Sequence, residues 1–144
     1  RARDVSAFLA ELGPVAVAPL DAPLRVAYHD ACHLAHAQGV TAQPRALLRS
    51  VPGIELVELD EPELCCGSAG TYNLEQPAIA KRLGERKARH AVAVAPDVVA
   101  TGNVGCMTQL RSHLGALGSA VPVLHTMEVL DRAYGAALGS PPGP

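Results

Sequence analysis

The sequence has no tryptophan, one phenylalanine and three tyrosines, and its 12 basic residues are outnumbered by 14 acidic ones. A nucleic-acid surface needs a basic stripe and, for single strands, stacking rings, so that class is excluded. Long apolar runs are absent as well. Stretches such as Ala91–Ala95 and Val121–Leu124 are far too short to span a bilayer. No secretory leader is visible, and a cytoplasmic setting is expected. Sulfur is scarce: Cys32, Cys65, Cys66 and Cys106 are the only cysteines. Structural disulfides are not expected, because such frameworks belong to secreted chains and a Cys65–Cys66 bond would close a strained ring across one peptide.

What remains is an ordinary globule. With 144 residues, 49% of them apolar and 18% charged, the chain is long enough for one domain with a real core. It opens on Arg1 rather than methionine, and a fragment of a longer protein is expected. The expected division is an N-terminal helix and linker over 1–24, a cysteine-rich domain over 25–138, and a disordered tail over 139–144.

The periodicity predicts strand alternating with helix. Val5, Phe8, Leu9 and Leu12 are spaced for a helix that Gly13-Pro14 ends. Arg25–Tyr28 reads as a strand running into His29-Asp30-Ala31-Cys32-His33. Pro44 opens a helix burying Leu47, Leu48 and Val51, and Ile54–Leu59 forms the next strand. Asn73 and Gln76 suggest a capping box ahead of Pro77. The helix that follows runs to about His90 and is expected to turn Lys81, Arg82, Arg86, Lys87 and Arg89 to water. Asp97–Thr101 and Val121–Leu124 read as two more strands, each followed by a helix. This order predicts an α/β fold, a parallel sheet with helices on both faces. Ligands of such sheets bind beyond the carboxyl ends of the strands. There the pattern delivers Cys32, the Cys65/Cys66 pair, Cys106 and His125.

A set of thiolates suits an iron–sulfur cluster or zinc. Zinc modules usually take paired ligands from Cys-x-x-Cys turns, whereas neighbouring thiolates can each bind a different iron of a cluster, so a cluster is favoured and zinc is the alternative. His29 and His33 flank Cys32, and His125 ends a strand beside the cysteines. Each is a candidate ligand or a hydrogen-bond donor to a thiolate. Gly67, Gly70, Gly102 and Gly105 would either let backbone N–H groups approach a cluster or simply make turns. Asp30 would orient His33 or cap a helix. His36 and His113 are expected at the surface.

Cys32 is separated by 32 residues from Cys65-Cys66-Gly67, and 39 more lead from Cys66 to Cys106. This arrangement resembles the CCG cysteine-rich domain, shared by the B subunit of heterodisulfide reductase, the iron–sulfur subunits of glycolate oxidase, and related lactate and glycerol-3-phosphate oxidation proteins. The likeness to the glycolate oxidase iron–sulfur subunit is the most specific. It is carried by His29–Leu34, Cys65–Asn73, Thr101–Cys106 and His125–Asp131, and it covers roughly residues 25–135.

The resemblance implies a larger parent, with a ferredoxin-like part carrying [4Fe–4S] clusters followed by paired CCG domains, of which this is similar to the second. It implies ligation of an iron–sulfur cluster, a [4Fe–4S] in expectation, by Cys32, Cys65, Cys66 and Cys106. The general pattern closes in Cys-x-x-Cys, whose last thiolate serves a noncubane cluster, and here Gln109 stands in that place. The expected function is electron transfer from a FAD-bearing flavoprotein subunit that oxidises glycolate toward the quinone pool, with the complex peripheral to the inner face of the membrane. The chain has no flavin-binding signature of its own. The alternatives are a zinc-binding or metal-free module that docks subunits, and a thiol–disulfide domain of the heterodisulfide reductase type, which the loss of a ligand at Gln109 disfavours.

Overall fold

A computed structural model describes residues 2–137. The expected tail over 139–144 lies outside the described residues. Among the described residues, no helix is long and apolar enough to cross a membrane.

The chain builds a four-stranded, wholly parallel sheet, as its alternating pattern predicts. In chain order its elements are α1 (Val5–Leu12), β1 (Leu24–His29), a π-helical turn (His33–Ala37), α2 (Ala42–Arg49), β2 (Ile54–Glu58), α3 (Tyr72–Glu75), α4 (Pro77–Ala93), β3 (Val98–Thr101), α5 (Val104–Ala116), β4 (Val123–His125) and α6 (Thr126–Ala137). The strand order is β2-β1-β3-β4, so the chain reverses direction of travel across the sheet between β1 and β3. Loops leaving β1 and β3 diverge there, and the crevice between them is where doubly wound sheets hold ligands.

Strand alternation sorts the core into two layers. Val26, Tyr28, Val98 and Ala100 face one way and pack with Leu47, Leu48, Val51, Val129 and Leu130 of α2 and α6 and the segment between α2 and β2. Ala27, Val99 and Val123 face the other way, against Ala88, Ala91, Leu110 and Leu114 of α4 and α5. Cys66 and Cys106 belong to this second layer. The approach of α4 and α5 is close: a Cβ on Gly84 would come within 2.2 Å of the His113 ring, which explains why His113 is half-buried rather than at the surface.

Capping differs from expectation in one place. Asp4 caps α1 as its position implies, accepting from Ser6 N at 2.8 Å. The Asn73/Gln76 box does not form. Asn73 lies inside α3, and Gln76 precedes α4 without a side-chain cap. The pairing that does form is Thr71 Oγ1 donating to Glu75 Oε1 at 2.7 Å.

Candidate metal centre

The carboxyl edge of the sheet collects the sulfur. Cys32 follows β1, Cys65 and Cys66 lie in the loop after β2, and Cys106 sits in the first turn of α5, just past β3. Asn103 caps α5 by accepting from Cys106 N at 3.0 Å, which fixes where that thiol enters. The Cys66 thiol donates to Cys106 Sγ at 3.1 Å, and all four thiols are free. Cys66 and Cys106 are buried, while Cys32 and Cys65 are half-buried. The thiols interact in sequence, Cys32 with Cys65, Cys65 with Cys66, and Cys66 with Cys106.

His29 completes the inner group. One of its ring nitrogens and the sulfurs of Cys66 and Cys106 lie within 4.8 Å of one another. As the last residue of β1 it takes the same face as Ala27, which aims the ring at the α4/α5 layer holding the two cysteines. The residue is 1% exposed, and neither ring nitrogen has a hydrogen-bond partner. Thr101, its register partner on β3, buries an unpartnered hydroxyl as well. Each unsatisfied buried polar group costs about 1–3 kcal/mol. Such groups are rare in native folds and call for an explanation at the site.

The electrostatics resist charge on these groups while no cation is bound. Burial, then the cation of Lys87, lowers the His29 pKa to about 4 against the pull of Asp30, so the ring is neutral at pH 7. The Cys66 pKa is pushed up to about 11, chiefly through its hydrogen bond with Cys106 and also by burial. Cys65 is raised further through its hydrogen bond with Cys66 and by burial, and Cys32 is raised by burial and by Cys65. Ionising one of these neighbouring thiols opposes ionising the next. A soft cation reverses this balance, because it binds thiolate and neutral imidazole. The donor set and the orphaned nitrogens of His29 therefore fit a metal or an iron–sulfur group.

The cysteine loop is held in place by α4. Lys87 is 0% exposed, which corrects the expectation that it faces water: its Nζ donates to Glu61 O at 2.6 Å. Arg86 pairs with Glu61, and His90 Nε2 lies 3.0 Å from Glu61 Oε2. Glu61 and Ala69, on either side of the cysteine pair, hold φ of 49° and 34°, strained values for residues other than glycine. Gly67 is required by packing. Its φ is +88°, and a Cβ there would meet Ala80 O at 2.3 Å. Gly105 lets the loop close on α5, since a Cβ there would lie 2.8 Å from Ser68 Oγ. These two glycines are thus accounted for by close approach of backbone and neighbours. Gly70 takes φ +65° with open space around it, a turn position.

The remaining candidates stand apart from the inner group. His33 is exposed on the π-helical turn, and His36 is exposed as expected. His125 accepts at Nδ1 from Met127 N at 3.2 Å, so it shapes the entry to α6. Asp30 neither orients His33 nor caps a helix. It takes a two-pronged contact from Arg45, at 2.8 and 2.6 Å. Gln109 lies one turn beyond Cys106 and is half-buried.

The cysteine-rich domain (CCG) family model matches residues 26–111. The chain is 38% identical over 133 residues to a protein of Methanothermobacter marburgensis named as the B subunit of a fumarate reductase (CoM/CoB), covering 91% of this chain and 27% of that one. It is 35% identical over 107 residues to lactate utilization protein A of Oceanobacillus iheyensis, covering 74% of this chain and 44% of the other. The probable glycolate oxidase iron–sulfur subunit of Bacillus subtilis is 31% identical over 118 residues, covering 81% and 27%. The chain thus spans about a quarter to a half of the length of these relatives.

Proposed function

This chain belongs to the CCG cysteine-rich domain family, and from that premise we propose that it is the iron–sulfur electron-transfer domain of a flavoprotein oxidoreductase complex, with glycolate as the substrate oxidised by the partner subunit. The sulfurs of Cys66 and Cys106 gathered beside a buried imidazole with no other partner, with Cys32 and Cys65 at the same carboxyl edge of a parallel sheet, are the observation that supports this reading. Cys32, Cys65, Cys66 and Cys106 would hold the group, a [4Fe–4S] cluster in this proposal. Iron and sulfide bound there supply one-electron uptake and release. The chain's own contribution is positional and electrostatic. Cys66 and Cys106 lie in the dry α4/α5 layer, where water is excluded, while the half-buried Cys32 and Cys65 sit nearer the surface from which a partner approaches. The buried ammonium of Lys87 lies close enough to Cys66 and His29 to act on both, and it offsets negative charge gathered on the thiolates.

In this assignment glycolate oxidation belongs to a FAD-bearing subunit, and electrons pass through this domain and the ferredoxin-like part of its own parent chain toward quinone. The complex works in the cytoplasm, on the inner face of the membrane. A second reading has a specific observation in its favour: a Cys/Cys/His triad within 4.8 Å also suits a single zinc ion, which would make the domain a module for docking subunits.

Anaerobic reconstitution of the full parent chain with ferrous iron and sulfide separates the two. The proposal expects a brown protein with stoichiometric iron and sulfide, beyond that of the ferredoxin-like part, and lower iron content in Cys65→Ser and Cys66→Ser. Glycolate-dependent flavin reduction in the partner persists in these variants while electron flow to quinone stops. A domain that takes up no iron and sulfide, or variants with normal iron and normal electron flow, would refute it in favour of docking.

A further inference from the structure

We infer that His29 is itself a ligand of the metal centre, supplying an imidazole nitrogen in the role for which this chain has no fifth cysteine. The inference rests on the metal-centre reading above and goes beyond its all-thiolate ligand set. Three independent observations lead to it. A ring nitrogen of His29 and the sulfurs of Cys66 and Cys106 lie within 4.8 Å of one another, close enough for common ligation. The ring is almost wholly buried, yet neither nitrogen meets a donor or acceptor, so nothing else in the fold uses it. At Gln109, one turn beyond Cys106 on α5, the chain carries an amide that binds soft metals poorly.

Strand geometry explains why His29 rather than His33 is placed for this. His29 ends β1, and the pleat commits its side chain to the face that carries Cys66 and Cys106. His33 lies beyond Cys32 on the exposed side of the π-helical turn. Two thiolates and an imidazole form an inner set that is largely dry, and Cys32 and Cys65 form an outer set nearer solvent. Imidazole is neutral where thiolate is negative. Exchanging one for the other lowers the negative charge of the centre and raises its reduction potential, the direction seen when histidine replaces cysteine on iron in Rieske sites. A domain built this way accepts electrons more readily than an all-cysteine one.

The test uses the full parent chain, labelled with 15N-histidine and reconstituted anaerobically with ferrous iron and sulfide. Pulsed EPR of the paramagnetic state is expected to show a strongly coupled histidine nitrogen. That coupling should vanish in His29→Cys while iron content is retained, and the reduction potential should fall. His29→Ala should lose iron to a chelator about tenfold faster or more. Wild-type protein that carries the cluster of this domain without a coupled nitrogen, or a coupling that survives in His29→Cys, overturns the assignment of His29 and leaves the metal centre standing. Protein whose domain takes up no metal overturns both. If the domain retains zinc, X-ray absorption at the zinc edge decides the same point: a nitrogen at about 2.0 Å beside sulfur supports His29, and a shell of sulfur alone overturns it.

Discussion

Replacing His29 with leucine should make the metal-free protein more stable while spoiling its site. The imidazole has one N–H donor and one acceptor nitrogen when neutral, and both are buried without a partner. At about 1–3 kcal/mol for each such group, an apolar side chain recovers several kcal/mol, less about 1–3 kcal/mol for the altered shape. The net expectation is a gain of about 1–3 kcal/mol at pH 7, or a rise in Tm of about 3–10 °C for a chain of this size. Acid should widen the difference. The unfolded histidine takes up a proton near pH 6.5, whereas in the folded chain burial and Lys87 delay this to about pH 4. Between these values the unfolded state binds more protons, so stability present above pH 6.5 is lost as the pH falls toward 4. The loss amounts to about 3 kcal/mol in wild type and is absent in His29→Leu. The groups acting on the ring are Lys87 on α4, which opposes its charge, and Asp30 beyond β1, which favours it, with the sulfurs of Cys66 and Cys106 alongside. Urea unfolding of reduced, metal-free protein at pH 7, 5.5 and 4 provides the measurement. A leucine variant less stable than wild type at pH 7, or parallel acid profiles for the two, would refute the reasoning from orphaned nitrogens.

The other expectations concern the loop, its anchors and proton release. Gly67→Ala should cost more than about 3 kcal/mol, since it combines a left-handed backbone with a Cβ 2.3 Å from Ala80 O; an unchanged urea midpoint would show that the loop yields. Arg45→Met leaves Asp30, 10% exposed, without its two-pronged partner and removes a cation 4.7 Å above the Tyr28 ring. A loss of about 2–4 kcal/mol is expected in chemical denaturation, with part of it recovered when Asp30→Asn is added; no recovery would mean that packing rather than the orphaned carboxylate carries the effect. Because Cys32, Cys65 and Cys66 hold their protons in the metal-free state, metal uptake should release protons into weakly buffered solution and tighten from pH 7 to pH 9. Affinity that is flat across this range would place the metal elsewhere.

The sheet was legible because its signals are local. Short β-branched runs, helix punctuation by Pro44, Pro52-Gly53 and Pro77, and a cysteine after three of the strands are all visible without tertiary information. The π-helical turn was not legible, because His33-Leu34-Ala35-His36-Ala37 has neither helical periodicity nor a cap to mark it. The arrangement of Asp30 depends on Arg45, which lies 15 residues away on another element. The histidines could have been ranked from pleat alone: Ala27 and His29 alternate with Val26 and Tyr28, so His29 had to share a face with Ala27, whereas His33 falls past the end of the strand.

Lys87 shows how a legible signal was outvoted. It lies among Lys81, Arg82, Arg86 and Arg89, and counting charge places the whole run in water. The helical period gives a different answer. Ala80, Gly84, Lys87, Ala88 and Ala91 form the buried stripe of α4, at spacings of three and four residues with one adjacent pair. Small residues above and below the lysine bring the helix close to the sheet, and only a long side chain can then reach from the stripe to the loop carbonyl at Glu61. A cation amid small apolar residues on the inward face of a helix is costly to bury unless it has a partner of its own. The backbone before Cys65 provides that partner, so a residue that looked like ordinary solvated charge joins Arg86 and His90 in tying α4 to the cysteine loop, and does so from the buried side.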